Sequence, residues 1–363
     1  MPVRTEVCVV GAGPAGVAAA ITLSRAGRAV TLLDAGQAAS PQPGHHLPPD
    51  VPAALGVDRD ELAAIAQPCP GRVVAWAGPA ADHSYLFDPA GCAWNVERTA
   101  LDALLVGRAA AAGARVCPGT SLVGARRDGG WELTVRGADG AEAAMRAETV
   151  LDASGRRAAF ARTQGVGVLR PDRLVAAFAV VPAADADRRF VLEAAADGWW
   201  YAVPVPGARL ALAWITDPQR LRAAGGRRAL LAHARATTEL VAARVPGGAD
   251  APVSVVACGS ALRETITGPG WLAVGDAAAH VDPLWGQGLR HALELGVRAA
   301  EAVLVRAPDR PGVFTVYAAA VRRQWLEAER TRVALYREAA SAHASPFWEE
   351  SARALAIAST GSE

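Results

Sequence analysis

The chain reads as an α/β protein: a dinucleotide-binding, largely parallel sheet with an antiparallel, β-rich lobe inserted between its halves. Three observations predict this. A strand, a glycine turn, a helix and a second strand open the chain at Val7–Asp34. A second glycine-rich strand–loop–helix unit returns at Gly270–Val305, and strand-like segments fill the stretch between them.

The opening unit is CVVGAGPAGVAAAITLSRAGRAVTLLD. The apolar strand Val7–Val10 runs into Gly11-Ala12-Gly13-Pro14-Ala15-Gly16, an Ala-rich helix follows, and the strand Val30–Leu33 ends in Asp34. Gly11 permits the tight turn, Gly13 lets backbone N–H groups approach a pyrophosphate, and Gly16 lets the helix lie close on the sheet. The helix N-terminus supplies the positive end that a diphosphate needs. Asp34 stands where a carboxylate accepts the ribose hydroxyls of an adenosine. The unit predicts a bound dinucleotide.

Composition narrows the class. The chain has 363 residues, 52% hydrophobic and 20% charged, enough for a core and two lobes. A formal charge of +1 argues against nucleic acid or an anionic membrane as the main partner. The five cysteines include no CxxC pair, which predicts a reduced, cytoplasmic protein with small thiol core fillers. The apolar N-terminus is explained by its glycines and Asp34 rather than as a signal peptide, and no membrane span is expected. All 37 basic residues are arginine. No reaction that requires a lysine amine can run on this chain.

After Asp34, Ala35–Pro49 reads as a loop carrying His45 and His46. Adjacent histidines on an extended chain point to opposite sides, so they make poor joint metal ligands, and no other metal-ligand spacing occurs. A short helical piece is expected in Leu47–Ala66, around Leu55-Gly56-Val57, and strands at Arg72–Ala77 and Tyr85–Asp88. Arg98 precedes an amphipathic helix with Leu101, Leu104 and Leu105 on one face; Thr99 can cap it, and Asp102 suits its dipole. Strands follow at Arg115–Cys117, Trp131–Val135 and Met145–Leu151, with turns at Asp128-Gly129-Gly130 and Asp139-Gly140. The last strand runs into Asp152-Ala153-Ser154-Gly155-Arg156.

From Gly165 to Cys258 strand patterns at Leu174–Val181, Trp199–Val205, Arg209–Thr216 and Val253–Ala257 accompany one long helical pattern, Pro218–Val245. Here Trp199, Trp200 and Tyr201 form either core or the aromatic wall of a substrate cavity. The strand Gly270–Val274 then leads into Gly275-Asp276, a Gly-rich turn, and a helix from Leu289. The tail, Gly312–Glu363, holds one or two amphipathic helices with Trp325, Tyr336, Phe347 and Trp348. The expected division is a discontinuous nucleotide domain of residues 1–164 and 259–310, a substrate lobe of 165–258, and C-terminal helices in 311–363.

GAGPAG with Asp34, the Arg98 segment, Asp152–Arg156 and GDAAAHVDPLWGQG together resemble the glutathione-reductase-type FAD-binding Rossmann fold, in the branch of p-hydroxybenzoate hydroxylase and the flavin-dependent tryptophan halogenases. The resemblance covers most of the chain. It implies that Gly11, Gly13, Ala15 and Gly16 hold the FAD pyrophosphate, Asp34 the adenosine ribose, and Arg98 the phosphates. It implies that Gly275 and Asp276 meet the ribityl–diphosphate end. Pro283 and the backbone of Trp285, Gly286, Gln287, Gly288 and Leu289 would face the flavin pyrimidine edge.

HHLPP, GCAWNVER, GWWYAVPVPG, WITD and VDP look closest to halogenase-like flavoproteins that do not halogenate, such as quinone-cofactor maturases that hydroxylate a protein tryptophan. The halogenase signature departs at Tyr201, which stands at its second Trp position. Halogenases also pass hypohalous acid to a lysine amine, and this chain has none. The resemblance therefore implies a monooxygenase that hydroxylates an electron-rich aromatic, an indole or tryptophan, free or peptide-bound, through a flavin C4a-hydroperoxide. His45, His46 and His280 are the candidate bases. No second GxGxxG occurs, so either NAD(P)H visits the flavin or a separate flavin reductase supplies electrons. The alternatives are an isoprenoid-type reductase and a non-catalytic FAD-binding partner.

Overall fold

Val7, Cys8, Val9 and Val10 are all buried, the unbroken apolar run of a parallel strand covered on both faces. They belong to a computed structural model that describes residues 3–36, 44–52, 56–183, 186–305 and 312–353, and of Trp285 the backbone alone. In chain order come β1 (Val3–Val10), α1 (Pro14–Arg25), β2 (Val30–Asp34), β3 (His45–Leu47), α2 (Arg59–Ala63), β4 (Ala66–Cys69), β5 (Gly71–Ala75), β6 (Ala81–Ser84) and β7 (Ala93–Val96). Next are α3 (Arg98–Ala111), β8 (Arg115–Pro118), β9 (Ser121–Arg127), β10 (Trp131–Arg136), β11 (Glu142–Asp152), α4 (Ala159–Thr163) and β12 (Val168–Leu169). The lobe adds β13 (Val175–Pro182), β14 (Phe190–Ala195), β15 (Gly198–Val205), β16 (Arg209–Thr216), α5 (Pro218–Ala223), α6 (Leu230–Thr237) and β17 (Ser254–Ala257). The chain ends with β18 (Ala261–Arg263), β19 (Thr267–Gly268), β20 (Trp271–Ala273), β21 (Ala279–His280), α7 (Gly288–Leu304), α8 (Val313–Ala342) and α9 (Pro346–Arg353).

The nucleotide sheet runs β19-β20-β11-β1-β2-β8, with β20, β11, β1, β2 and β8 parallel, β10 antiparallel to β11 and β9 antiparallel to β10. Helices α1 and α7 pack closely on each other, because Gly296 leaves room for the Ala15 carbonyl, 2.3 Å from where a Cβ would stand. The lobe sheet runs β17-β13-β16-β15-β14-β5-β6. Its strands are antiparallel except where β14 lies parallel to β5. Side chains alternate across it. Trp200, Leu212 and Trp214 enter a core with Leu221, Leu230 and Leu231 of α5 and α6. Trp199, Ala213 and Ile215 enter another with Tyr336, Phe347 and Trp348 of α8 and α9. The C-terminal helices are thus the second cover of the lobe sheet.

Several sequence expectations change. Tyr85–Asp88 is not a strand; the strand is β6, and Tyr85–Gly91 forms successive turns closed by Asp88 N to Tyr85 O and Gly91 N to Asp88 O, as Asp, Pro and Gly favour. The helical piece is α2, started by a capping box in which Asp58 and Glu61 exchange side-chain bonds. Gly56 and Val57 precede it, and Leu55 lies outside the described residues. Thr99 does not cap α3, which already begins at Arg98 with Glu97 as its N-cap residue. Pro218–Val245 is not one helix: Gly225 and Gly226 separate α5 from α6. Within Ala35–Pro49, His45–Leu47 pairs with β7 as a strand; residues 37–43 lie outside the described ones. The lobe sheet also gains β14 and recruits β5 and β6 from far upstream.

Candidate active site

At the first glycine unit the chain leaves β1 through Gly11, at φ +108°. A Cβ on Gly11 would lie 2.4 Å from the Ala153 carbonyl oxygen, and one on Gly16 only 1.9 Å from that of Gly11. The turn is therefore folded tightly against the Asp152–Ser154 passage at the end of β11. Gly13 differs: among the described residues no atom beyond its chain neighbours lies within 4 Å of its Cβ position. It is the N-cap residue of α1, no side chain caps the helix, and its first turn holds no acid. The first N–H groups of α1 are left beside an open cradle, which fits a diphosphate. Asp34, at the end of β2, accepts from Gly36 N at 3.0 Å through Oδ1.

The second unit meets the first at Gly275. Its Cβ position stands 2.7 Å from the Ala15 Cβ and 3.8 Å from Ala292 of α7. Helix α7 starts after Gln287 with no side-chain cap and no acid in its first turn, a second uncompensated positive end. Arg156 bridges the site to the lobe: its Nε is 3.6 Å from Asp276 Oδ2, and its terminal nitrogens donate to the Ala257 and Cys258 carbonyls. Arg98 opens α3 and is turned inward, Nε donating to Asp102 Oδ1 at 2.8 Å and Nη1 3.5 Å from His45 Nε2. The buried Asp152 carboxylate, its pKa raised by burial, accepts from Ser154 and from Ala161 N of α4. It fixes the turn rather than facing solvent.

The three histidines separate. His45 lies beside Arg98, whereas His46 points to the other side of β3, as alternation requires. His46 shares hydrogen bonds with Asn95 Oδ1 (3.0 Å) and Tyr85 Oη (3.2 Å) and stacks on Phe190 at 4.8 Å. Burial pushes its pKa down to about 4. His280 donates from Nδ1 to the Asp276 carbonyl at 3.2 Å. Burial and Arg156 hold it at about 4. Both imidazoles are neutral and weakly basic at physiological pH.

The aromatic strand splits. Trp200 faces α5 and α6, stacked on Trp214 at 5.5 Å and 7°, so Trp199, Trp200 and Tyr201 do not form one wall. Trp199 and Tyr201 share the opposite face, 6.1 Å apart, and Tyr201 also stacks with Phe190 at 6.3 Å. The Tyr201 hydroxyl makes no hydrogen bond among the described residues. Leu284, from the loop before α7, packs into the same apolar cluster as Trp199 and Tyr201. The second glycine unit and the aromatic strand therefore border one apolar cluster.

Beneath this contact lies a network that sequence reasoning did not find. Asp282 is 1% exposed. Its Oδ1 accepts from Leu284 N, its Oδ2 from Tyr336 Oη at 2.5 Å, and Tyr336 Oη accepts from Trp199 Nε1 at 3.0 Å. Burial lifts the Asp282 pKa to about 6. The available signals were the VDP triplet and the amphipathic tail carrying Tyr336; neither alone says that the two touch. Among the described residues no His, Cys, Asp and Glu group is arranged to hold a metal ion, and no helix is long and apolar enough to cross a membrane.

The family model for the FAD binding domain matches residues 4–303. A digeranylgeranylglycerophospholipid reductase of Methanoculleus marisnigri is 29% identical over 323 residues, 82% of this chain and 75% of the relative. The solved peptidyl tryptophan dihydroxylase QhpG, essential for tryptophylquinone cofactor biogenesis, is 26% identical with a TM-score of 0.78, covering 96% of this chain and 78% of that one. The flavin-dependent halogenase CmlS superposes with a TM-score of 0.84 at 24% identity, over 96% of this chain and 67% of its own, a likeness of fold.

Proposed function

The chain belongs to the FAD binding domain family, and from that premise we propose that this FAD-dependent oxidoreductase is a monooxygenase hydroxylating an electron-rich aromatic, an indole carried by a peptide. The observation that carries this reading is that Leu284, from the loop before α7, packs against the same apolar cluster as Trp199 and Tyr201. An aromatic, water-excluding face stands against the loop that leads to the uncapped N-terminus of α7. Gly13 and the first turn of α1 would take the diphosphate, Asp34 the ribose, and the first N–H groups of α7 the polar edge of the ring. When bound, FAD supplies the activation of dioxygen for transfer of one oxygen atom to carbon.

The chain's own part is positioning and exclusion of water. Tyr201 brings a hydroxyl with no partner among the described residues to the apolar face, able to orient an indole N–H or a neighbouring peptide carbonyl. His46 and His280, each at about 4, are poor acceptors for a phenol proton. An indole needs less help from a base than a phenol does, so the weakness of two of the three candidate bases favours it. The likeness to the peptidyl tryptophan dihydroxylase supports a peptide as carrier. Lysine-dependent halogenation has no residue to run on. Electrons come from NAD(P)H or from a separate flavin reductase.

The reductase relative at 29% identity favours one second reading, reduction of an isoprenoid alkene at the same site. Turnover with reduced FAD and a tryptophan peptide, with and without air, separates the two. The monooxygenase reading expects a product one oxygen atom heavier, labelled from isotopic dioxygen and absent without air. Reduction of a prenyl substrate that continues without air, together with an unchanged peptide, would replace it.

A further inference from the structure

Four aromatic rings and a carboxyl group form a connected chain, of which only Trp199 belongs to the face proposed for the substrate. Tyr336 donates to Asp282 at 2.5 Å and accepts from Trp199 at 3.0 Å. Its ring lies 5.2 Å from Trp348 and 6.4 Å from Trp76, centroid to centroid. Trp76 in turn meets Trp348 at 5.2 Å and Trp199 at 6.5 Å. Trp199, Tyr336 and Trp348 are buried, whereas Trp76 is half-buried and brings the cluster to the surface. The Arg332 guanidinium sits 5.4 Å over the Tyr336 ring. That guanidinium is ion-paired with buried Glu329 at 2.9 Å, which offsets its charge, so the direct partner for the phenolic proton is Asp282. The Asp282 carboxylate already holds that proton's hydrogen bond.

We propose that Tyr336 is a one-electron donor to the flavin site, with Asp282 as its proton acceptor and Trp76 as the ring through which the electron is replaced. The inference rests on the FAD reading above. Tyr336 loses one electron and its Oη proton and becomes a neutral phenoxyl radical. The oxidant, a light-excited oxidised flavin or a radical derived from dioxygen, gains the electron, and the carboxylate of Asp282 becomes a carboxylic acid. An electron from Trp76 then restores Tyr336 as Asp282 returns the proton. A soluble one-electron reductant such as ascorbate refills Trp76. The chain would thus remove stray oxidising equivalents before they damage the buried core.

The test excites the FAD-loaded full chain with blue light and records the flavin excited-state lifetime and transient absorption. In the wild type the lifetime is shortened several-fold relative to Tyr336→Phe, and a neutral tyrosyl spectrum appears that the variant lacks. Asp282→Asn delays that spectrum at equal flavin content. Trp76→Phe prolongs it and removes its shortening by ascorbate. Equal lifetimes and radical spectra in wild type and Tyr336→Phe, at equal flavin content, would overturn the proposal while leaving the FAD reading intact. A wild type that takes up no flavin would overturn both. Should Tyr336→Phe fail to fold, an ascorbate response in Trp76→Phe identical to the wild type would overturn the exit through Trp76.

Discussion

Gly275 faces Ala15 across the contact between the two glycine units, its Cβ position 2.7 Å from the Ala15 Cβ. Its φ of +59° lies in the left-handed region, where a β-branched residue is strained. Gly275→Val adds strain and collision together. The expected cost is roughly 2–4 kcal/mol of stability, read by urea unfolding of the apoprotein, with flavin content falling in parallel. A variant as stable as the wild type would mean that α1 and Gly275 are not packed this way.

Gly13→Val makes the opposite test, because among the described residues no atom beyond its chain neighbours lies within 4 Å of the Cβ position and φ is −74°. The apoprotein should unfold within about 1 kcal/mol of the wild type. Flavin binding should be lost, since the new side chain would fill the cradle at the start of α1. A yellow Gly13→Val protein would remove the diphosphate from this place.

Local patterns made much of this architecture readable. The strand–glycine–helix–strand order of Val7–Asp34 needs only neighbours in sequence, and so do the two strands flanking the Asp128-Gly129-Gly130 turn. Long-range pairing was not readable. Nothing in Gly71–Ala75 says that it lies parallel to Phe190–Ala195 in the lobe sheet, and a run of Trp, Trp and Tyr does not show which face each will take. At the site, the glycines announce themselves by backbone needs. Tyr336 did not, because an amphipathic helix with buried aromatics looks the same whether its tyrosine fills a core or holds Asp282.

Trp200 belongs with α5 and α6, and its removal should act on the fold. Trp200→Ala is expected to cost about 3–5 kcal/mol, with turnover per folded molecule little changed. Trp199→Phe keeps an aromatic ring but leaves a small cavity and loses the N–H that Tyr336 accepts. It should cost about 1–2 kcal/mol and lower turnover at constant flavin content. Chemical unfolding and single-turnover product yield separate the two effects. Loss of turnover in folded Trp200→Ala would return that ring to the substrate side.

Asp282 gives the lobe a pH signature. Its pKa rises from the ordinary 3.8 to about 6 because the carboxyl is buried, with Asp172 adding to the rise while Tyr336, Leu284 N and Arg332 oppose it. Between those two values the folded chain binds more proton than the unfolded one, so this group's contribution to stability falls as pH rises and levels off above about 6. Asp282→Asn removes the titration and leaves a constant offset, because an amide presents one donor to two donor partners, Leu284 N and Tyr336 Oη. Stability of Asp282→Asn minus that of the wild type should therefore climb by up to roughly 3 kcal/mol from pH 4 to pH 7. Urea unfolding of both proteins across that range reads it, since the other carboxyl groups cancel in the difference. A difference that stays flat would mean that Asp282 titrates alike in the folded and unfolded chain, and that its bond to Tyr336 offsets the whole cost of burial.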